Sequence, residues 1–315
     1  MCVYRASAYA NIAVAKYWGK RDAELNLPYF DSVSFSVGAL KTETQAQWRD
    51  DLEADSLVID GWDVPLSQMG RVTHILDEIR RRKSWDKRCI LESHNSFPRS
   101  SGLASSASGC AAAAMAASGA AGLECSPEAL SVLARLGSGS AARSVCSGWA
   151  RWFAGTREDG LDSYAVQIAP HDHWPLCVFV VQVTADAKAV SSREAMVRCQ
   201  QSPLWSAYMA DARRAADLAE NAIRHKNFAA LSDVMHHSAM MLHALTLSCC
   251  PPICYFAPKS IELLRFVLRS CRALNVCCTL DAGANVVVLC EETSVPFVKN
   301  QIISLGVPFV QTEIV

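Results

Sequence analysis

Ser93-His-Asn-Ser-Phe-Pro-Arg-Ser-Ser-Gly-Leu-Ala-Ser-Ser-Ala-Ser-Gly109 follows a strand-like run, Cys89-Ile-Leu-Glu92, and breaks at Pro98. It gathers small hydroxyl and glycine residues, then enters the alanine-rich segment from Cys110 to Ala121. A loop without bulky side chains lets backbone N–H groups and serine hydroxyls converge on an anion. The helix that follows adds the positive end of its dipole. Two readings stand side by side: a phosphate-binding loop, or a tight connection into a small-residue helix packed closely on a sheet.

Working outward, the 315 residues suffice for two domains or one large one. Hydrophobic residues make up 51% and charged residues 19%, so a large core is available and disorder is disfavoured. The 30 Lys and Arg nearly balance the 31 Asp and Glu, which argues against a nucleic-acid-binding surface. Charge chemistry must therefore be local. The 14 cysteines contain no Cys-x-x-Cys pair, and Cys177, Cys271, Cys277, Cys278 and Cys290 sit in apolar runs. Free buried thiols in a reducing cytoplasm fit this better than a disulfide or zinc framework. The most membrane-like segment, Gly102 to Leu123, is rich in serine and alanine rather than leucine, and reads as a buried helix. The chain is expected to be cytoplasmic, with no membrane partner.

Tyr4 to Val14 suggests a strand leading into the loop Lys16-Tyr-Trp-Gly-Lys-Arg-Asp22, where Tyr17 and Trp18 between cations suit a basic pocket wall as well as a solvated loop. Leu57 to Val64 reads as a hairpin turning at Asp60-Gly61, and Met69 to Ile79 as a helix ending in the basic, solvated run Arg80-Arg-Arg-Lys83. Ser126-Pro127 starts another helix, which stops at Gly137. A second Gly/Ser cluster, Gly137-Ser-Gly-Ser-Ala-Ala-Arg-Ser144, follows; Arg143 could reach an anion there or pair a carboxylate. Strands are expected over Trp149 to Gly155 and Tyr164 to Ala169. The turn His171-Asp-His-Trp-Pro175 divides the chain into domains 1–174 and 175–315. Its His-x-His is a weak metal signal.

The second half opens on the apolar strand Leu176 to Val183. Ser191 or Ser192 can cap a helix carrying Arg193, and longer helices are expected over Leu204 to Arg224, Phe228 to Leu245 and Ile261 to Leu274. His236 and His243 share a face of the second of these and suit the core better than a metal. Cys277 to Leu280 and Val286 to Cys290 are strands on either side of Asp281-Ala-Gly-Ala-Asn285. Asp281 is either a partly desolvated general base or an Asx-turn carboxylate. A helix from Val295 and a short strand near Val307 complete an α+β, two-layer scaffold.

Several motifs in order resemble the GHMP kinase superfamily and, within it, the diphosphomevalonate decarboxylases. They are Asn11 to Asp22, Phe97 to Ser108, Gly137 to Ser144, Asp162 to Ala169, Val190 to Arg193 and Leu280 to Asn285. The resemblance implies a GHMP kinase fold, with an N-terminal half like a ribosomal-protein domain, a ferredoxin-like C-terminal half and the site in the cleft. It implies ATP and Mg2+, a homodimer, and ATP-dependent decarboxylation of mevalonate 5-diphosphate to isopentenyl diphosphate through a 3-phosphate.

By the same resemblance Asp281 takes the proton of the tertiary hydroxyl. Arg143 holds the substrate carboxylate, Asn11 positions Arg143, and Lys16 steadies the transferring charge. Tyr17, Lys20, Ser138, Gly139, Ser140, Ser192 and Arg193 hold the substrate diphosphate. Ser101, Gly102, Leu103, Ala104, Ser105, Ser106 and Ser108 lie on the ATP phosphates. The chain departs from the family at Tyr29-Phe-Asp-Ser32, where an Asn-Ser-Ser run is usual, and at Ala142 and Ala284. A kinase that stops at phosphorylation, a decarboxylase of mevalonate 5-phosphate and an inactive binding protein on the same fold remain alternatives.

Overall fold

The computed structural model describes residues 3–97, 105–184 and 188–315, with Ser105 described for its backbone alone. Strands β1 (Val3–Ala15), β2 (Lys20–Asp22), β3 (Leu27–Pro28), β4 (Ser32–Arg49), β5 (Ser56–Ile59) and β6 (Trp62–Asp63) precede helix α1 (Gly70–Lys83). Strand β7 (Arg88–Asn95) leads to α2 (Ser105–Ala120), α3 (Pro127–Gly137) and α4 (Ala141–Ser144). Strands β8 (Trp149–Trp152), β9 (Ala165–Ala169) and β10 (Cys177–Val181) follow. Four helices come next: α5 (Ser192–Cys199), α6 (Trp205–Arg224), α7 (Phe228–Leu247) and α8 (Pro258–Leu274). Strands β11 (Val276–Leu280) and β12 (Val286–Cys290), helix α9 (Val295–Ser304) and strand β13 (Phe309–Glu313) end the chain.

The first half is built on β4, an 18-residue strand that opens with Val33, Phe35 and Val37 alternating with serines, though no continuous apolar run marks its length. One of its edges pairs antiparallel with β1 along nearly its whole length, and the other receives β7 and then β8. Its buried side chains include Ser32, Ser34, Ser36, Thr42 and Thr44, which are hydrogen-bonded rather than apolar. A strand that buries hydroxyls cannot be seen as a hydrophobic run. The alanines of α2 at positions 111, 112, 114, 116 and 117 are fully buried against this sheet. Small side chains there allow close helix–sheet packing, and the Trp48 indole reaches across to the Ala117 carbonyl at 2.9 Å.

The second half is a four-stranded antiparallel sheet ordered β11-β12-β10-β13. One apolar core crosses the 174/175 division: Val14, Phe35 and Trp149 share a cluster with Val178, Ala216, Leu231, Cys277 and Leu289. A bridge between Val37 and Ile314 also ties the last residues back to β4.

Ser126 caps α3, accepting from the Ala129 N–H, as its sequence suggests. The basic run closing α1 divides. Arg80 is 8% exposed and chelates Asp55 while bonding Asp77, so it is structural rather than solvated. Within the departing stretch Tyr29-Phe-Asp-Ser32 the first three side chains pack against α6 and β8. Phe30 packs edge-on to Tyr208, Tyr29 packs on Trp205, and Asp31 binds Arg151. His173 of the His-x-His pair bonds the Ile223 carbonyl. Among the described residues no helix is long and apolar enough to cross a membrane.

Arg135 on α3 is fully buried and donates to the carbonyls of Leu25, Gly160 and Ser163. Replacing it by Met leaves three carbonyls without their donor. Arg135→Met should therefore lower unfolding free energy by about 3 kcal/mol in urea denaturation. A loss under about 1 kcal/mol would overturn this assignment.

Candidate active site

The C-terminal ends of β1 and β11 meet the α3–α4 loop and the start of α5 around a cavity of about 540 Å³. Asn11, Lys16, Tyr17, Lys20, Ser106, Ser138, Gly139, Ser140, Arg143, Ser192, Arg193 and Asp281 all line it. Residues up to 270 positions apart in sequence are thereby brought to one wall-to-wall space.

Lys16 Nζ and Asp281 Oδ1 lie 2.6 Å apart, joining the ends of two strands from the two halves of the chain. The lysine side chain is 2% exposed, whereas the carboxylate is 43% exposed because it opens on the cavity. Burial pushes the Lys16 ammonium below its ordinary pKa, and Asp281 pulls partly back. Burial favours neutral Asp281, but Lys16, Lys188 and Arg143 outweigh it and hold its carboxyl below the usual range. An Asx-turn does not form: the Gly283 N–H bonds the backbone carbonyl of Asp281 at 2.8 Å, leaving the carboxylate for Lys16. His243 sits behind this pair, 1% exposed. Burial and then the Lys16 charge push its imidazole down to about 4, so it is neutral.

Arg143 is 2% exposed and pairs no carboxylate among the described residues. Its Nε donates to Asn11 Oδ1 at 3.1 Å and to Ser34 Oγ at 2.9 Å, its Nη1 donates to Ser32 Oγ, and its guanidinium lies over the Trp152 ring. Asn11 in turn donates to the Ser140 carbonyl at 2.9 Å and to Ser144 Oγ at 2.7 Å, which fixes the amide's orientation. Burial lowers Arg143 to about 10, still charged at neutral pH. Tyr17 packs edge-on to Trp152 and comes so close to Gly139 that a Cβ there would lie 2.6 Å from the phenol oxygen. Only glycine fits. The phenol oxygen itself is buried at the cavity wall without a hydrogen-bond partner among the described residues, and burial keeps it protonated. A donor placed so is suited to an anion entering the cavity.

Lys20 faces the same space with Arg193 and with Arg71, from the first turn of α1. Burial, then these like charges, hold its ammonium down to about 8. Arg71 and Lys188 line the cavity although sequence reasoning passed over both. Arg71 carried one usable signal, a cation at the helix end where the dipole disfavours it; Lys188 stands just before the Val190-Ser-Ser-Arg193 motif. Ser191 takes the cap of α5, accepting from the Glu194 N–H at 3.2 Å, which frees Ser192 for the cavity. Ser108 is not among the cavity's lining: two residues beyond Ser106, its hydroxyl turns to the sheet side of α2 and meets Thr42 Oγ1 at 2.7 Å. Ser101, Gly102, Leu103 and Ala104 lie outside the described residues, as does the side chain of Ser105.

The described lining thus holds six cations, Lys16, Lys20, Arg71, Arg143, Lys188 and Arg193, against one carboxylate, Asp281. Such a space is electrostatically incomplete without anions. Family models match both halves: that of the diphosphomevalonate decarboxylase-like N-terminal domain over residues 8–165, and that of the mevalonate 5-diphosphate decarboxylase C-terminal domain over residues 178–312. The chain belongs to the diphosphomevalonate decarboxylase family. Diphosphomevalonate decarboxylase mvd1 of Aspergillus fumigatus is 39% identical over 310 residues, covering 91% of this chain and 76% of that protein. The crystal structure of mevalonate diphosphate decarboxylase from Staphylococcus aureus is similar with a TM-score of 0.93 and 31% identity, covering 99% of this chain and 96% of that one. The structure of MDDEF in complex with MVAPP, AMPPCP and magnesium gives a TM-score of 0.90 at 32% identity, with the same coverage. The expected α+β, GHMP kinase fold is thereby met.

A family member with Lys20 at about pKa 8 should lose affinity for diphosphate anions as that charge is lost on the alkaline side. Inorganic pyrophosphate binding, compared by calorimetry between the parent protein and Lys20→Met, isolates this charge from the ligand's own titration. The parent's advantage should shrink between about pH 6.5 and about pH 9. An advantage constant over that range would contradict the assignment.

Proposed function

We propose that the cavity is a two-phosphate catalytic cleft in which each of the residues named above has a distinct task. The chain catalyses ATP-dependent decarboxylation of mevalonate 5-diphosphate, yielding isopentenyl diphosphate, ADP, phosphate and CO2. The observation that carries the assignment of tasks is the Lys16–Asp281 bond at 2.6 Å, set beside Arg143 in a cavity otherwise lined by cations.

The substrate's diphosphate is held by the Tyr17 phenol, Lys20, Arg193 and the Ser138–Ser140 loop, with Arg71 adding charge and Ser192 a hydroxyl. Its carboxylate meets Arg143, whose fork is already oriented by Asn11, Ser32 and Ser34. That leaves the tertiary hydroxyl at Asp281. A carboxylate held below its usual range is ionised at neutral pH and accepts a hydrogen bond readily, so it orients the hydroxyl and takes its proton as the O–P bond forms. Lys16 stays against the carboxylate and steadies charge on the transferring phosphoryl group.

Transfer turns the hydroxyl into a leaving group. As phosphate departs with the C–O electron pair, the C–C bond to the carboxylate supplies electrons to the new double bond and CO2 is released. Ser106, at the first turn of α2, is the described residue on the ATP side of the cavity.

Magnesium accompanies ATP. Mg2+ keeps several waters and is usually held largely through substrate phosphates, so it needs few protein ligands. With Asp281 committed to Lys16 and the substrate hydroxyl, Ser106 is the cavity hydroxyl that would hold it beside the nucleotide, and when bound it would neutralise phosphate charge. Among the described residues no group of three His, Cys, Asp or Glu side chains forms a protein-only metal cage.

Incubation with mevalonate, its 5-phosphate or its 5-diphosphate, measuring ADP and CO2 separately, tests the reaction. Equal release of both from the 5-diphosphate is expected, whereas ADP without CO2 would mean a kinase. Asp281→Asn should lower kcat by at least roughly 100-fold and change KM for the diphosphate substrate by less than about threefold. Near-full activity in that variant would remove Asp281 from the mechanism. We also propose a cytoplasmic homodimer. Apolar side chains exposed along α5 and α6, among them Val197, Leu204 and Leu218, support self-association. Light scattering should give twice the chain mass, and a monomer at micromolar concentration would exclude it.

A further inference from the structure

Lys20 has a partner that neither its charge nor the family motif explains. Asn26, between β2 and β3, is 2% exposed and has φ +54°, a left-handed conformation that asparagine adopts more readily than most residues. Its Oδ1 accepts a hydrogen bond from Lys20 Nζ. Its Nδ2 donates to the carbonyls of Arg135 at 3.0 Å and Leu136 at 2.9 Å, in the last turn of α3. Turning the amide over would set its oxygen against two carbonyls and its nitrogen against an ammonium. One orientation is therefore enforced.

The same helix end runs directly into Ser138-Gly139-Ser140. One buried amide thus joins two parts of the proposed diphosphate cradle, the lysine on β2 and the loop after α3.

Its chemistry suits the task. Among the described residues the charged groups facing Lys20 are Arg193 from α5 and Arg71 from α1, which repel it, so an ammonium left alone would swing away from the loop. An aspartate at position 26 would hold it but cancel the charge that attracts a diphosphate. A neutral amide takes one of the three ammonium hydrogens and leaves the other two, with the full positive charge, for phosphate oxygens. We propose that Asn26 is a positioning residue for diphosphate recognition, fixing Lys20 against the Ser138–Ser140 loop without neutralising it. The inference rests on the assignment of Lys20 to the substrate diphosphate.

Asn26→Gly is the informative change, because glycine accepts the positive φ and only the amide is lost. KM for the diphosphate substrate should rise roughly tenfold while kcat stays within about twofold and KM for ATP is unmoved. In a Lys20→Met background the same change should alter KM by less than about twofold, since the two act as one unit. An equal rise in both backgrounds would show that Asn26 serves the loop's structure alone, and no rise in the parent would overturn the proposal outright. Asn26→Asp provides a second arm should the glycine variant not fold. A carboxylate there should move the alkaline limb of kcat/KM upward by favouring the Lys20 ammonium, and an unmoved limb rejects the coupling. If Lys20→Met leaves KM unchanged, it is the placement of Lys20 that has failed, and Asn26 falls with it.

Discussion

The bond between Lys16 and Asp281 spans the whole architecture. Lys16 follows the last residue of β1 and Asp281 the last residue of β11, so side chains at the ends of two strands from separate sheets meet, Nζ to Oδ1 at 2.6 Å, across 265 positions of sequence. A buried ammonium is costly unless paired, and Asp281 is the carboxylate that offsets it. The pairing is reinforced by the Lys16 N–H, which donates to Ser238 on α7 at 2.9 Å. Fold and chemistry therefore depend on the same contact. Whatever holds the sheets in register also sets the reacting carboxylate.

Around that contact the polar network is unusually long-range and unusually rich in neutral groups. Asn11 on β1 holds both Arg143 and the Ser140 carbonyl, and Ser32 and Ser34 on β4 hold the other side of the guanidinium. Neutral partners restrain a cation without consuming its charge. The Lys20–Asn26 pair follows the same rule on the opposite wall. The result is a preorganised positive field that costs no reorganisation when an anion arrives.

Much of the scaffold was legible because it uses ordinary signals: the Asp60-Gly61 turn, the Ser126-Pro127 helix start, and the apolar strand that became Cys177–Val181. Strand β4 was passed over although Val33, Phe35 and Val37 alternate at the strand period. The serines between them, and Thr42 and Thr44 beyond, are buried as well, held by partners distant in sequence, and no continuous apolar run marks the strand's length. The site divides similarly. Motif order brought Lys16, Arg143, Ser192 and Asp281 together, and the cavity indeed gathers them. Arg71 and Lys188 belong to no Gly/Ser cluster and reach the cavity only through the packing of α1 and the chain before α5. Ser108 is the converse case: a serine of the motif whose hydroxyl meets Thr42 on the sheet side of its helix.

Arg135 and Arg143 show what separates a structural cation from a functional one. Both are almost wholly buried, neither pairs a carboxylate among the described residues, and burial lowers both to about 10. Their electrostatic signature is the same, so the shift alone cannot assign a role. Their partners differ. Arg135 ends on backbone carbonyls of Leu25, between β2 and β3, and of Gly160 and Ser163, between β8 and β9, fixed acceptors that join two loops and do not line the Asp281 cavity. Arg143 ends on side-chain oxygens of Asn11, Ser32 and Ser34 and borders the open space beside Asp281. A guanidinium with five donors, three bonds on one flank and a cavity on the other retains capacity for a carboxylate. Access to the cavity, rather than burial or charge, is the property that turns one of two similar arginines toward substrate.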